Sequence, residues 1–404
     1  MYSRLAVLLR LRTLARQDHL NDRATVLTLF ARFTDELCSG LLVVLTPTLR
    51  SRIGLSVPQV GWCFQALASA GALTEPLAAV AVDVTSRRPL LVAGAAGWGA
   101  ALLLTAGATS FGWVLAGFAL AGAAYGPLAN TADVVLIEGH PTASERIASR
   151  STALDTVGAF LAPAAVAGAA WAGADTRWLL ATAGGAALLY AGALAGTVVP
   201  TAAPRPDGTA VRDHVGGNLR AVLADRTTRR WIGALLLLEL AGPLEVFEPV
   251  WLRDAAGLSQ ALVAVHVAVG MAASFVALVL LDRWLASHDA VPVLRASLVA
   301  SFVVYPAWLL LPGLAAKLVL VAVRDTAHAT LWPIIHARAL ASAPGRAGAV
   351  SAVTAAIGVV PVHAGFGWLA ETVGLTRSML GVHLAVAVLL LRVVPWPPGR
   401  SGGR

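Results

Sequence analysis

The stretch ELCSGLLVVLTPTLRSRIGLS, Glu36 to Ser56, is answered 203 places later by ELAGPLEVFEPVWLRDAAGLS, Glu239 to Ser259. The two align without a gap and share nine identities, among them Glu36/Glu239, Arg50/Arg253 and a closing Gly-Leu-Ser. The offset is about half of the 404 residues, so the chain reads as a duplicated unit. Each copy is an apolar helix that carries a carboxylate and ends in a short basic turn before the next apolar run. A bilayer tolerates such a carboxylate only at a cost of a few kcal/mol, which marks it as part of a solute or proton path.

Composition sets the solvent. Hydrophobic residues make up 57% of the chain and charged ones 13%, with a mean hydropathy of +0.74, values of an integral membrane protein rather than a soluble domain. Abundant Gly and Ala suit close helix packing in lipid, where small residues let backbones approach. Cys38 and Cys63 both fall in apolar runs, which gives neither a disulfide framework nor a metal site. The net charge of +8 comes from arginines in short loops between apolar runs, a pattern of membrane topology rather than of nucleic-acid binding.

Crossing a hydrocarbon core of about 30 Å takes roughly 20 residues. Runs of that length fall near 27–49, 58–82, 89–109, 112–136, 148–172 and 177–199, and again near 231–252, 259–281, 291–312, 314–337, 347–369 and 377–395, designated spans 1 to 12. The expected fold is an all-α membrane protein with twelve transmembrane helices in two pseudo-symmetric six-helix bundles around a central cavity. Its parts are an N-terminal segment 1–24, a bundle 25–199, a linker 200–230 with an amphipathic helix over 211–225, a bundle 231–395 and a tail 396–404. The Arg-interrupted segment 1–24 offers no cleavage site for a signal peptide. Twenty-two of the 30 Arg and Lys residues fall on the side of the N-terminus and six on the other. That bias predicts both termini and the linker in the cytoplasm of a cell whose inner (plasma) membrane the chain crosses.

Ionisable groups inside spans recur at every third one. Span 1 carries Arg32, Asp35 and Glu36; span 4 carries Asn130 and Asp133; span 7 carries Glu239, Glu245 and Glu248; span 10 carries Arg324, Asp325 and His328. Outliers are Asp155, Glu75, His266, His363 and His383. The pattern predicts that spans 1, 4, 7 and 10 line one water-accessible cavity. Arg32 stands four residues before Glu36 and three before Asp35, so its charge is expected to be met within its own helix. Arg324 is expected to pair with a glutamate of span 7. For the other histidines a backbone partner or the interface is the plainer expectation, and Trp62, Trp98, Trp113, Trp178, Trp231 and Trp396 near span ends read as interfacial anchors.

With these features in hand, the sequence resembles the major facilitator superfamily over nearly its whole length. Between spans 2 and 3 stands AVAVDVTSRRPLL, Ala79 to Leu91, similar to the family's acidic-basic loop motif with Asp83, Arg87 and Arg88 in place and its glycines replaced by Ala79 and Ser86. A weaker echo, Asp282-Arg283, follows span 8. The resemblance implies a cytoplasmic gate built from Asp83, Arg87, Arg88, Asp282 and Arg283; a solvated turn is the alternative. Span 5, with Gly158, Pro163 and Gly168, resembles the Gly/Pro motif of the family's antiporters, whereas the arginine of its drug/proton antiporters has no counterpart near Phe118. Span 1 and its turn are loosely like the fosmidomycin-resistance type of exporter.

The function expected from this is secondary transport of a small organic solute by alternating access, proton-coupled and directed outward. The alternative is a non-transporting receptor or scaffold on the same fold. The chain shows no HExxH, GxSxG or Gly-rich phosphate loop, so no enzyme is expected, nor any cofactor or metal. Expected partners are the solute, protons and lipid, with the chain a monomer. Asp35, Glu36, Glu239, Glu245 and Asp325 are the candidate proton carriers, each alternatively half of a static ion pair. Carboxylates outnumber arginines in these spans, which favours a neutral or cationic solute.

Overall fold

The structure, a computed structural model, describes residues 22–84, 86–139, 144–197, 220–285, 288–343, 350 and 353–394. Most of segment 1–24, most of the 211–225 helix and all of the tail 396–404 lie outside the described residues, as do the side chains of Asp83 and Asp282. The described chain is helical, and no strand occurs in it. In order come α1 (Arg23–Ile53), α2 (Val57–Val84), α3 (Arg87–Ala106), α4 (Phe111–Tyr125), α5 (Thr131–Gly139), α6 (Ser144–Trp171) and α7 (Thr176–Ala195). Then follow α8 (Arg226–Leu240), α9 (Gly242–Asp254), α10 (Gln260–Leu285), α11 (Ala290–Leu310), α12 (Leu314–Ala341), α13 (Val362–Val373) and α14 (Leu375–Val393).

Eight of the described crossings are by themselves long and apolar enough to span a membrane, and Val353–Val359 with Val362–Val373 forms a ninth that bends by 48°. The other three of the twelve are diluted by polar residues: α1 by Arg32, Asp35 and Glu36, α2 by Gln59 and Gln65, and the α8/α9 pair by three glutamates. Contacts divide the chain into two compact units, Met1–Leu55 with Ala66–Arg205, and Ser56–Gln65 with Pro206–Arg404.

Three spans that read as continuous are interrupted. Span 4 passes from α4 to α5 through a π-turn, Gly126–Asn130, that contains Pro127. Span 7 breaks at Ala241, before Gly242 and Pro243, so it is two helices. In span 11 a 3-10 turn, Ala356–Val359, precedes Pro361 and α13. Proline removes a backbone donor and clashes with the preceding turn, and in lipid the freed groups need other partners. Gln65 supplies them in span 11: its Nε2 donates to the Gly358 carbonyl at 3.1 Å and its Oε1 accepts from the His363 N–H at 3.2 Å.

The turn that closes the duplicated stretch folds the same way twice, although the second copy breaks at Ala241 where α1 runs on, and its identities have local causes. Gly54 and Gly257 sit at φ 75° and 69°, the left-handed region in which a Cβ is strained. Beside them Arg50 Nε donates to the Leu55 carbonyl at 3.1 Å, and Arg253 Nη1 to the Leu258 carbonyl at 3.3 Å. Ser56 and Ser259 then cap the next helix, their hydroxyls accepting from the Gln59 and Leu262 N–H groups at 3.3 Å. Gly-Leu-Ser is therefore a helix stop, an acceptor for arginine and a helix start.

Packing in the first unit sets α1 along α6 and α3 between α4 and α7. Gly158 makes the first contact possible, since a Cβ there would lie 2.5 Å from the Phe33 carbonyl oxygen. In the second unit α12 packs on α10 and α11. Its apolar core gathers Leu235, Leu294, Ile335 and Leu390 around Trp231. Trp231 is thus a core residue and not the expected interfacial anchor.

Candidate functional site

In each unit the described residues include a buried polar cluster around an arginine. In the first, Arg32 Nη2 meets Asp155 Oδ2 at 3.0 Å, and the Tyr125 hydroxyl is a second partner of Arg32. The expectation that Arg32 is neutralised by Asp35 or Glu36 is corrected here: packing of α1 on α6 brings Asp155 to the guanidinium. Asp35, fully buried, accepts instead from the Trp98 indole at 2.8 Å. Trp98 is 2% exposed, a donor to a buried carboxylate rather than an anchor. Glu36 is half-buried with its Cβ against Gly158. Asp133 takes a hydrogen bond from the Ser151 hydroxyl, and Asn130 ends the π-turn, half-buried.

The second cluster is denser. Arg324 Nη1 lies 2.7 Å from Glu248 Oε2 and its Nη2 donates to Glu248 Oε1 at 3.1 Å, while its Nε donates to Asp325 Oδ1 at 2.6 Å. The guanidinium carbon stands 4.4 Å from the centre of the buried Trp308 ring, a cation over an aromatic face. Gly270 leaves the room that Asp325 occupies, since Asp325 Oδ2 lies where a Cβ would stand.

His266 joins the same cluster, a role that sequence reasoning missed. Indole N–H only donates, so the 2.9 Å bond from Trp308 Nε1 to His266 Nε2 makes that nitrogen the acceptor. The proton of the neutral ring is thereby on Nδ1, 3.3 Å from Glu248 Oε1. The signal was a lone histidine in an apolar span, which is the same for a ligand of a carboxylate as for a packed ring. His383 does bond a backbone carbonyl, that of Ser301, at 2.9 Å.

A cavity opens in the second unit, lined by Glu245, Glu248, Tyr305, Arg324, Asp325 and His328 together with apolar residues. Glu245, in the first turn of α9, has its side chain 68% exposed, with His328 Nδ1 3.4 Å from its Oε1. Glu239 does not line this cavity. It lies exposed at the end of α8, beside the span 7 break, with the Trp332 indole as its partner.

Of the loop residues, Arg87 is buried with its Nε donating to the Val82 carbonyl at 3.3 Å, whereas Arg88 and Arg283 are exposed. Gly158 and Pro163 are buried within α6 and Gly168 is exposed. Cys38 and Cys63 are buried free thiols. Among the described residues no group of three or more His, Cys, Asp or Glu is placed to hold a metal ion.

A model of the Major Facilitator Superfamily matches residues 28–363. The chain belongs to that superfamily. It is a multi-pass membrane transporter and not an enzyme. Solved structures share the fold at low identity. A bacterial homologue of the human lysosomal transporter Spinster, inward-facing and unoccupied, is 16% identical with a TM-score of 0.72 over 92% of this chain and 95% of that one. The nucleoside transporter NupG is 12% identical with a TM-score of 0.71, over 92% and 98%. A D-xylose–proton symporter is 16% identical with a TM-score of 0.69, over 91% and 97%. No curated protein sequence matches the chain.

Proposed function

We propose that this superfamily member is a proton-coupled secondary transporter that exports a small organic solute across the inner membrane by alternating access, with both termini cytoplasmic. The observation that carries the reading is the second unit's cavity, where Arg324, Glu248 and Asp325 form an ion-paired wall facing further polar groups, Glu245, Tyr305 and His328, and an apolar wall. Buried charges are kept in a membrane protein where they serve binding or transfer. The arginine bias between the two sides supports the topology, and the likeness of the Gly158, Pro163 and Gly168 motif to that of antiporters supports export. The proton acceptors we assign are Asp35, Glu36, Glu239, Glu245 and Asp325, with Glu248 an ion-paired anchor. The loop residues Arg87, Arg88 and Arg283, with Asp83 and Asp282, are assigned to the cytoplasmic gate.

Purified protein in proteoliposomes loaded with a pH-sensitive dye, challenged with a broad panel of solutes, tests this. A solute-dependent proton flux is the expected outcome, and Glu239→Gln should abolish gradient-driven accumulation at unchanged expression. Normal accumulation by that variant removes Glu239 from the mechanism, and a panel without any flux removes transport.

A further inference from the structure

Among the polar residues of the second unit's cavity that take no part in the ion-pair network, Tyr305 stands out. Tyr305 lines the cavity, is 6% exposed, and its hydroxyl has no hydrogen-bond partner among the described residues. A buried hydroxyl left without a partner costs about 1–3 kcal/mol in general, so such groups in a cavity wall point to what fills it. The ring itself is held firmly. It stacks on His383 with centroids 4.0 Å apart and planes 11° apart, and the His383–Ser301 bond holds that imidazole in turn. The hydroxyl therefore occupies a fixed position before any ligand arrives.

Charge around that position selects the ligand. Arg324 is a poor anion receptor here, because its Nε and both Nη atoms already face carboxylates of Asp325 and Glu248. Three carboxylates, Glu245, Glu248 and Asp325, face the cavity against that one guanidinium. Glu245 is the open one, at the start of α9 with its side chain 68% exposed and the His328 imidazole beside it. Leu238, Leu244, Leu298 and Leu331 give the cavity an apolar side.

We propose that the cavity binds a small organic amine in its protonated form. Glu245 supplies the counter-charge, the Tyr305 hydroxyl accepts an ammonium N–H, and the leucines enclose the apolar body. The proposal rests on the transporter reading above and adds the class of solute to it.

Calorimetric titration of the purified full-length protein in detergent tests the site without requiring flux. The probes are a panel of arylalkylamines, each with its neutral N-acetyl derivative and the carboxylate of equal length. The amines should bind and their two counterparts should bind at least about tenfold more weakly, the scale of a lost hydrogen bond to a charged group. Glu245→Gln should weaken the amine by about tenfold and Tyr305→Phe by about fivefold, with Glu245→Gln melting at the wild-type position and Tyr305→Phe, relieved of an unpartnered hydroxyl, no lower. If Glu245→Gln does not fold, Glu245→Asp takes its place, retaining the charge and losing affinity through shortened reach. Carboxylates binding as tightly as amines, no amine binding at all, or amine affinity unchanged in both variants would each overturn the proposal. Amine binding without flux of any panel member in proteoliposomes removes the transport reading and leaves the site standing. Flux of neutral or anionic solutes without amine binding does the reverse.

Discussion

Arg324 spends its donors on two carboxylates of its own unit, and that makes Glu248 an anchor. Breaking a buried pair on one side leaves the other charge uncompensated, at a cost of about 3–5 kcal/mol, while replacing both partners by apolar groups of similar size is often neutral. Glu248→Leu still leaves Arg324 paired with Asp325, whereas Arg324→Met leaves both carboxylates without their cation, so Arg324→Met should lower the melting transition more than Glu248→Leu, as read by thermal unfolding in detergent. An Arg324→Met melt no lower than that of Glu248→Leu would remove this account of the cluster. The partner of Arg324 was half legible. A glutamate of span 7 was expected from the lack of another deep cation, but which of the three depends on the break at Ala241, which turns Glu245 and Glu248 to the cavity and leaves Glu239 beside the gap. Arg32 was misread for a related reason. Helical spacing offers Glu36 and Asp35, whereas Asp155 reaches it only because α1 and α6 are neighbours across 123 residues, which no local pattern encodes.

Among the elements, span 11 shows how a membrane helix survives being broken. The Gln65 amide is both donor and acceptor, which matches the Gly358 carbonyl and the His363 N–H on either side of Pro361. Gln65→Leu leaves both without this partner and should cost about 1–3 kcal/mol, measured as a fall in melting temperature. Gln65→Glu should also destabilise, since it keeps the acceptor and loses the donor. An unchanged melt in both would show the break to be self-sufficient. At the start of α8, outside the membrane, Asp225 accepts from the Thr228 N–H at 2.6 Å, and this holds its carboxyl below the usual range. A carboxyl depressed by folding stabilises above its unfolded pKa and loses that contribution as pH falls through the folded one. The protection of the Thr228 amide, its exchange relative to the intrinsic rate at the same pH, should thus hold at neutral pH and fall below about pH 4, where carboxyls protonate; protection that does not change with pH would remove Asp225 as its cause. These breaks were poorly legible because a proline in an apolar run permits either a kink or an interruption, and packing decides.

For the whole molecule, the twelve crossings were legible from apolar runs, arginine asymmetry and the 203-residue duplication together, each compensating for spans that the others leave weak. Hydropathy alone is insufficient for α1, α2 and the α8/α9 pair, since these carry the polar residues that the repeat and the charge alternation bring back into register. Topology is testable at the paired turns. Gly54 and Gly257 are unsuitable positions for a reporter, because their left-handed backbone strains any side chain. Ser51 and Ala255 are exposed nearby. Cysteines there, on a background with Cys38 and Cys63 replaced, should react with an impermeant thiol reagent added to intact cells. Reaction of both only after permeabilisation would invert the proposed orientation.

The bonds from Arg50 to Leu55 and from Arg253 to Leu258 each reach five residues along the chain. Closing so small a loop costs little entropy and needs nothing from elsewhere in the molecule. Each turn therefore carries its own acceptor for the arginine and its own cap for the next helix, so that part of its hydrogen-bonding demand is met whatever surrounds it.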